Sequence, residues 1–393
     1  MAVIADLDAL VNDGVLTLGQ ADVLRARSRA GMITLAINML LTGGIAAAAG
    51  GFVFWLADTV TVAASGVAFL ALGMAVLVAT GTMWRIFGHA AALIGAGMLI
   101  GGGVVEALAR FDQSVAGLVF VIAGLVLALV AGAGFVLRRG SLTFVMGCLT
   151  VAGAALHLAG LYLLGHAQGV QGLPVMALNL YAALVVAGLG WLLDVRFLTA
   201  LAIVPFAQAL DTGTFYFHAA YVFYSPEATL SILQMAGAIA VCLWIIARRP
   251  NRDDRHAGIF AIMAFIVANL CFLVGSLWGD TVGKTFVLTA LRAAHPDSWE
   301  AVWAGRKAFD AHALHIPDHV FAAIWAVLLA VCAIWAAHTL RRGLFNAAIT
   351  FGGIHAYTQA FESFGDQPLA WVIGGLAAIP LAWVVWRLNQ QFG

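Results

Sequence analysis

The feature that most constrains this chain is a succession of apolar runs, each near twenty residues, separated by short arginine-marked breaks. A helix needs roughly 20 apolar residues to cross a hydrocarbon core of about 30 Å. Breaks at charged, glycine or proline residues divide the sequence into about twelve such runs. They fall near 32–56, 60–80, 88–105, 115–137, 142–164, 173–193, 197–217, 228–247, 257–278, 318–338, 344–363 and 368–387. Backbone groups find no water in lipid, so spanning segments close their own hydrogen bonds as helices. The runs lack the period-2 alternation of a transmembrane β-barrel. The expected fold class is all-α, an integral membrane helical bundle with about twelve transmembrane helices.

Composition agrees with the pattern. Of 393 residues, 63% are hydrophobic and only 10% charged, for a mean hydropathy of +0.99. A soluble domain carries about 25% charged residues. The balance excludes a soluble enzyme, a disordered chain and a nucleic-acid binder acting through bulk basic charge. The expected partners are the lipid bilayer and other membrane proteins, with no nucleic acid.

The loops give an independent reading of topology. With the N-terminus inside, fourteen of the nineteen basic residues fall on the inner side, among them Arg85, Arg138, Arg139, Arg196, Arg248, Arg249, Arg341 and Arg342. The outer side receives Arg110, Lys284, Arg292, Arg306 and Lys307, together with twelve of the nineteen acidic residues. This positive-inside bias places both termini in the cytoplasm and the protein in the cell's inner (plasma) membrane. Trp55, Trp84, Trp191, Trp244, Trp278, Trp371 and Trp386 sit near span ends, where amphipathic rings anchor.

Three regions follow: a cytoplasmic amphipathic helical hairpin over 1–30, six spans over 31–193, and six more over 194–393 with an outer-face loop at 279–317. In the hairpin, Leu7, Leu10 and Val11 form an apolar side, Gly14 ends the first helix, and Thr17 with Gln20 makes a capping box for the second. No cleavable signal is read in the first thirty residues. Cys148, Cys242, Cys271 and Cys332 lie inside apolar runs and read as small hydrophobes rather than as a disulfide framework. The series Gly43, Ala47, Gly51 and the pair Gly97 and Gly101 are small-residue faces of the kind that let helices approach closely. An Arg-Arg-Gly sequence precedes both the fifth and the eleventh span, as a six-plus-six duplication would produce and as inner loops alone would also require.

The two ends carry a resemblance. The opening Leu7-Asp8-Ala9-Leu10-Val11-Asn12-Asp13-Gly14-Val15-Leu16-Thr17, followed by Gln20-Ala21, resembles the start of a bacterial family of polytopic membrane proteins of unknown function. The stretches Phe345-Asn346-Ala347-Ala348 and Phe361-Glu362-Ser363-Phe364-Gly365 are similar to that family's last helices. The resemblance implies a short cytoplasmic preamble before many helices. It implies no activity and no catalytic residues.

Ionisable residues within spans are costly and are functional-site hypotheses by default. In the eleventh span, His355, Gln359, Glu362 and Asp366 recur at four, three and four residues and would share a helical face. In the seventh, Asp211, Thr214 and His218 repeat in the same way above Gln208 and Pro205, which should free a backbone carbonyl one turn earlier. Asp211, His218, His355, Gln359 and Glu362 are the candidate transport path; interhelical hydrogen bonding is the structural alternative. His157, Asn38, Asn179, Asn269 and His338 read mostly as satisfied helix–helix contacts.

The outer loop is the only long extramembrane segment, and residues from about Ser298 to Phe309 pattern as an interfacial amphipathic helix. Its end carries His312, His315, Asp318 and His319, donors that suit a divalent metal at the outer face but match no defined zinc signature. The structural alternative is an interfacial turn. No GxSxG, P-loop or dinucleotide fingerprint supports nucleophilic or nucleotide chemistry. Three functions fit: a transporter-like protein moving a small solute, cation or proton past spans seven and eleven; a structural or assembly subunit of a larger membrane complex; and an outer-face metal-binding enzyme.

Overall fold

The computed structural model describes residues 11, 14–25, 40, 43–44, 50–51, 58–79, 84–137, 140–217, 220–249, 251–339, 341–364 and 366–390. Most of the expected first span and of the first N-terminal helix, together with Asn38 and His218, lie outside the described residues. The chain divides into two compact units, Met1–Gln168 and Gly169–Gly393.

In the first unit a short helix spans 18–25. Gly14 precedes it at φ +72°, a left-handed conformation that glycine adopts without Cβ strain. The capping box forms as its sequence requires: Thr17 N donates to Gln20 Oε1 at 3.0 Å, and Gln20 N to Thr17 Oγ1 at 3.3 Å. Four long helices follow: α1 (Thr59–Ala79), α2 (Arg85–Arg110), α3 (Gln113–Leu137) and α4 (Thr143–Ala167). Asp58 caps α1 through Thr61 N at 2.8 Å, and Asp112 caps α3 through Ser114 N at 3.0 Å.

These helices pair as two antiparallel hairpins, each held together through glycine. A Cβ on Gly66 would lie 2.5 Å from Leu99 N and 2.7 Å from Gly95 O; on Gly102, 2.9 Å from Thr59 O. In the second hairpin a Cβ on Gly153 would lie 2.5 Å from Ala128 N, and on Gly160 2.7 Å from Gly117 O. No side chain fits at these positions, so backbone meets backbone. The contacting glycines recur every seven residues: Gly66 and Gly73 against Gly88, Gly95 and Gly102, then Gly117 and Gly124 against Gly153 and Gly160. A spacing of seven keeps one face of each helix on its partner. The close-approach faces expected at Gly97 and Gly101, and at Gly43 and Gly51, are not used among the described residues; a Cβ on any of these would meet nothing within 4 Å. Leu77, Ala92, Ala96, Ala131, Leu142, Val145 and Leu149 fill the core between the hairpins. His157 is buried and its Nδ1 lies 3.0 Å from Val121 O, a helix–helix contact as its position suggested.

The second unit opens with α5 (Leu173–Leu193), then two short helices, α6 (Arg196–Leu201) and α7 (Ile203–Gln208). The antiparallel hairpin β1 (Gly213–Phe217) and β2 (Ala220–Tyr224) precedes α8 (Ala228–Arg248) and α9 (Arg252–Trp278). The outer loop folds as α10 (Lys284–Ala294) and α11 (Trp299–Asp310), closed by the two-residue strands β3 (Asp280–Thr281) and β4 (His315–Ile316). Helices α12 (Asp318–His338), α13 (Arg342–Phe364) and α14 (Pro368–Asn389) end the chain.

Eight described helices are long and apolar enough to cross a membrane: α1 to α5, α8, α9 and α12. α13 and α14 have 23 and 22 residues and coincide with the eleventh and twelfth expected spans. The expected seventh helix over 197–217 is corrected. It breaks at Ala202, stops at Gln208 and gives way to a strand, because Pro205 cannot donate a backbone hydrogen bond and Asp211 turns the chain at φ +58°. Large side chains on the long helices stand open, Leu137 at 81% and Leu184 at 73% exposure. Continuous apolar helix faces of this kind are covered by lipid in a membrane protein.

Candidate functional site

The second unit contains an apolar helix that is interrupted at Ala202 and ends at Gln208. α6 and α7 together cover 196–208, about 20 Å at 1.5 Å per residue, against a core of about 30 Å. The end of α7 is closed by a left-handed cap: Thr212 N donates to Ala207 O at 3.2 Å and Asp211 N to Gln208 O at 3.0 Å. Two amide side chains from neighbouring helices also reach its carbonyls. Asn179 Nδ2 on α5 donates to Gln208 O at 3.1 Å, and Gln234 Nε2 on α8 to Phe206 O at 2.7 Å. Gln234 Oε1 is buried and has no partner. Just beyond the cap, the buried hydroxyls of Thr212, Ser225 and Ser231 form a closed triangle with edges of 2.6, 3.0 and 3.2 Å. Ser231 and Gln234 are three residues apart and share a face of α8.

The other end of the broken helix is clamped. Asp194 takes the left-handed position after α5 at φ +55°, with Val195 N donating to Gly190 O at 2.8 Å. Its carboxylate accepts from His256 Nε2 at 3.0 Å, and His256 Nδ1 lies 2.7 Å from the Thr199 hydroxyl on α6. The hydrogen bond from His256, with Arg255 and Arg252 beside it, holds Asp194 below the ordinary carboxylate range. Arg252 lies over the Trp191 ring at 4.8 Å, and Trp191 Nε1 donates to Asp253 Oδ1 at 2.7 Å. One end of α6–α7 is therefore pinned, while the other ends among buried polar atoms.

The expected stripe of Asp211, Thr214 and His218 is not a helical face. Asp211 is the left-handed cap, Thr214 stands on β1, and His218 lies outside the described residues. On α13, His355, Gln359 and Glu362 do share a helix, and Asp366 falls beyond its end. His355 Nδ1 and Gln359 Nε2 are buried without partners, while Glu362 and Asp366 are exposed. The His355 ring meets Trp325 edge-on at 4.8 Å. Trp325, 1% exposed, donates through Nε1 to Asn269 Oδ1 at 2.8 Å, and Asn269 Nδ2 donates to Phe265 O at 2.7 Å. The broken helix and the His355 face lie in separate packing clusters, one around Ile203, Met235 and Ala264, the other around Phe272, Phe321 and Trp325.

The outer-face donors are not gathered. His312 Nδ1 turns back to Ala308 O at 3.2 Å, His315 Nδ1 lies 3.5 Å from Thr281 Oγ1, and His319 lies 3.6 Å from Asp318. Among the described residues no three His, Cys, Asp or Glu side chains are arranged to hold a metal ion. The amphipathic helix expected over Ser298–Phe309 forms as α11, with Ser298 Oγ accepting from Ala301 N at 3.2 Å. Trp299 and Trp303 are exposed on it one turn apart.

Two buried carboxylates, Glu227 and Asp280, were not singled out by the sequence. Each precedes a helix but caps a different one. Glu227, just before α8, accepts from Gly283 N at 2.8 Å and Thr285 N at 3.0 Å at the start of α10. Asp280, before α10, accepts from Thr229 N at 2.7 Å at the start of α8, and from Thr281 N at 2.9 Å. This exchange places each negative charge on the positive end of the other's helix. An acidic residue before a helix is a sequence signal for a cap, but not for which helix it caps. Beside the exchange lies a pocket of about 210 Å³ whose wall includes Phe223, Tyr224, Trp278, Asp280, Lys284 and His315.

The fold and these polar features define a multispanning helical membrane protein. No family model matches the chain, nor does any curated protein or solved structure, and the resemblance at its two ends stands without a matching family model.

Proposed function

We propose that this protein is a transporter-like component of the inner membrane, moving a small solute, cation or proton past the broken helix α6–α7 and the His355 face of α13. The broken helix carries this reading. Interrupted helices with exposed carbonyl ends are where membrane transporters coordinate ions and substrates. Here the carbonyls of the interrupted end accept from Asn179 and Gln234, and beside them lie the unpartnered acceptor Gln234 Oε1 and the hydroxyls of Thr212, Ser225 and Ser231. Carbonyl, amide and hydroxyl oxygens gathered in this way suit a hard cation. On α13, the unpartnered His355 and Gln359, with Glu362 one turn on, supply groups that exchange protons or donate hydrogen bonds along one face.

Reconstitution into proteoliposomes tests the proposal. Proton, sodium and potassium fluxes are measured for the wild type and for Gln234→Leu, His355→Ala and Glu362→Gln. The expected outcome is a cation flux that falls at least about tenfold in Gln234→Leu and changes its pH dependence in His355→Ala. Fluxes equal to those of empty liposomes, or unchanged in all three variants, overturn it.

A further inference from the structure

The chain contains seventeen arginines and two lysines, Lys284 and Lys307. Lys307 is exposed on α11, whereas Lys284 is half-buried at the first turn of α10 and lines the pocket of about 210 Å³. Among the described residues its ammonium group makes no hydrogen bond or ion pair. Glu227 and Asp280 are the buried carboxylates of this region, and all four of their oxygens accept backbone N–H groups at 2.7–3.0 Å. Their charge is already matched by two helix N-termini and Asp310 is paired with Arg306 at 3.5 Å, so among the described residues Lys284 has no carboxylate of its own. The amides at the start of α10 are likewise taken by Glu227, which leaves the lysine side chain as the cationic group of the pocket.

The remaining wall selects the partner. Phe223, Pro226, Val274 and Trp278 present apolar surface, His315 adds an imidazole, and Asp280 adds a carboxylate whose two oxygens are held by Thr229 N and Thr281 N. One ammonium and one imidazole match the two oxygens of a carboxylate, and the Asp280 carboxylate in the same wall, though bonded to two backbone amides, disfavours a more highly charged phosphate. An apolar cavity of about 150 Å³ accepts benzene, so this volume suits a ring or a short chain together with its carboxylate.

We propose that the pocket formed by Lys284, His315, Trp278 and Phe223 binds a small organic monocarboxylate, with the carboxylate on Lys284 and the hydrocarbon part against the aromatic wall. The site is independent of the transport reading: it lies among β2, β3, α10 and β4 and the adjoining ends of α8 and α9, and it requires no flux.

The full-length protein, purified in detergent, is titrated calorimetrically with benzoate and hexanoate and with the matched neutral probes benzyl alcohol and hexanol. The two carboxylates are expected to bind at least about tenfold more tightly than the alcohols, as a charge-assisted hydrogen bond provides. Lys284→Met should remove that preference and Lys284→Arg should keep part of it, with thermal unfolding confirming that both variants are folded. In parallel, amine acylation followed by mass spectrometry should show benzoate protecting Lys284 and leaving Lys307 unprotected. Equal binding of acids and alcohols, no binding of either acid at millimolar concentration, or an unchanged acid preference in a folded Lys284→Met variant overturns the proposal. Failure here leaves the flux measurements untouched, so the two readings are judged separately.

Discussion

At the scale of single residues, two aspartates occupy backbone positions that ordinarily favour glycine. Asp194 and Asp211 both follow a helix at φ between +55° and +58°. A residue with a Cβ is strained there by up to about 1 kcal/mol relative to glycine. Asp194 offsets this through His256 and two arginines, whereas among the described residues Asp211 has no such hydrogen-bonded cluster. Asp211→Gly should therefore hold or raise the thermal midpoint while deleting the carboxylate, which separates a role in transport from one in folding. A drop in midpoint would show that the side chain matters more to the fold than its backbone strain. Lys284 supplies a second expectation. Burial, and after it the Arg306 charge, disfavour its ammonium, while Asp310, Asp280 and Glu227 oppose them, and the balance lowers its pKa below 10.5. As pH rises, Lys284 should lose its proton before an ordinary lysine does. Acylation of Lys284 should reach half its limiting rate below pH 10.5, and carboxylate binding should weaken over the same range; a midpoint at or above 10.5 contradicts this burial effect.

At the scale of elements, the glycine hairpins show how packing chooses among faces that look alike in sequence. Glycines at four-residue spacing suggested contact at Gly97 and Gly101, yet the close approach in the structure follows a seven-residue spacing. Both patterns place small residues on one side of a helix, and only the partner decides which side is covered. Gly66→Ala and Gly153→Ala each push a methyl group against backbone and should cost about 1–3 kcal/mol. Gly97→Ala meets open space and should be neutral or slightly stabilising. Unfolding in mixed detergent distinguishes them, and equal effects at Gly66 and Gly97 would contradict the hairpin geometry. The broken helix was partly legible. Pro205 marked a disturbance, but the apolar run continues past it, and hydropathy alone cannot tell a kinked span from one that stops at Gln208. The cap exchange was not legible, because Glu227 and Thr285 are brought together only by folding.

At the scale of the whole molecule, the expected orientation puts both lysines outside, on the expected outer loop at 279–317. A membrane-impermeant amine reagent applied to intact cells should label Lys307, and labelling only after the membrane is opened would invert the topology. The apolar character of the runs, the helical state of those described other than the seventh, the N-terminal capping box and the amphipathic α11 were determined by the sequence alone. Each depends on local propensity or on transfer from water to lipid, which a window of neighbouring residues specifies. The tertiary structure alone decided which glycines touch, where the seventh segment stops, which helix each buried carboxylate caps, and that Lys284 faces a pocket whose own carboxylate is already held by backbone amides. Those outcomes depend on which groups distant in sequence come within a few ångströms, and hydropathy and spacing carry no record of that proximity.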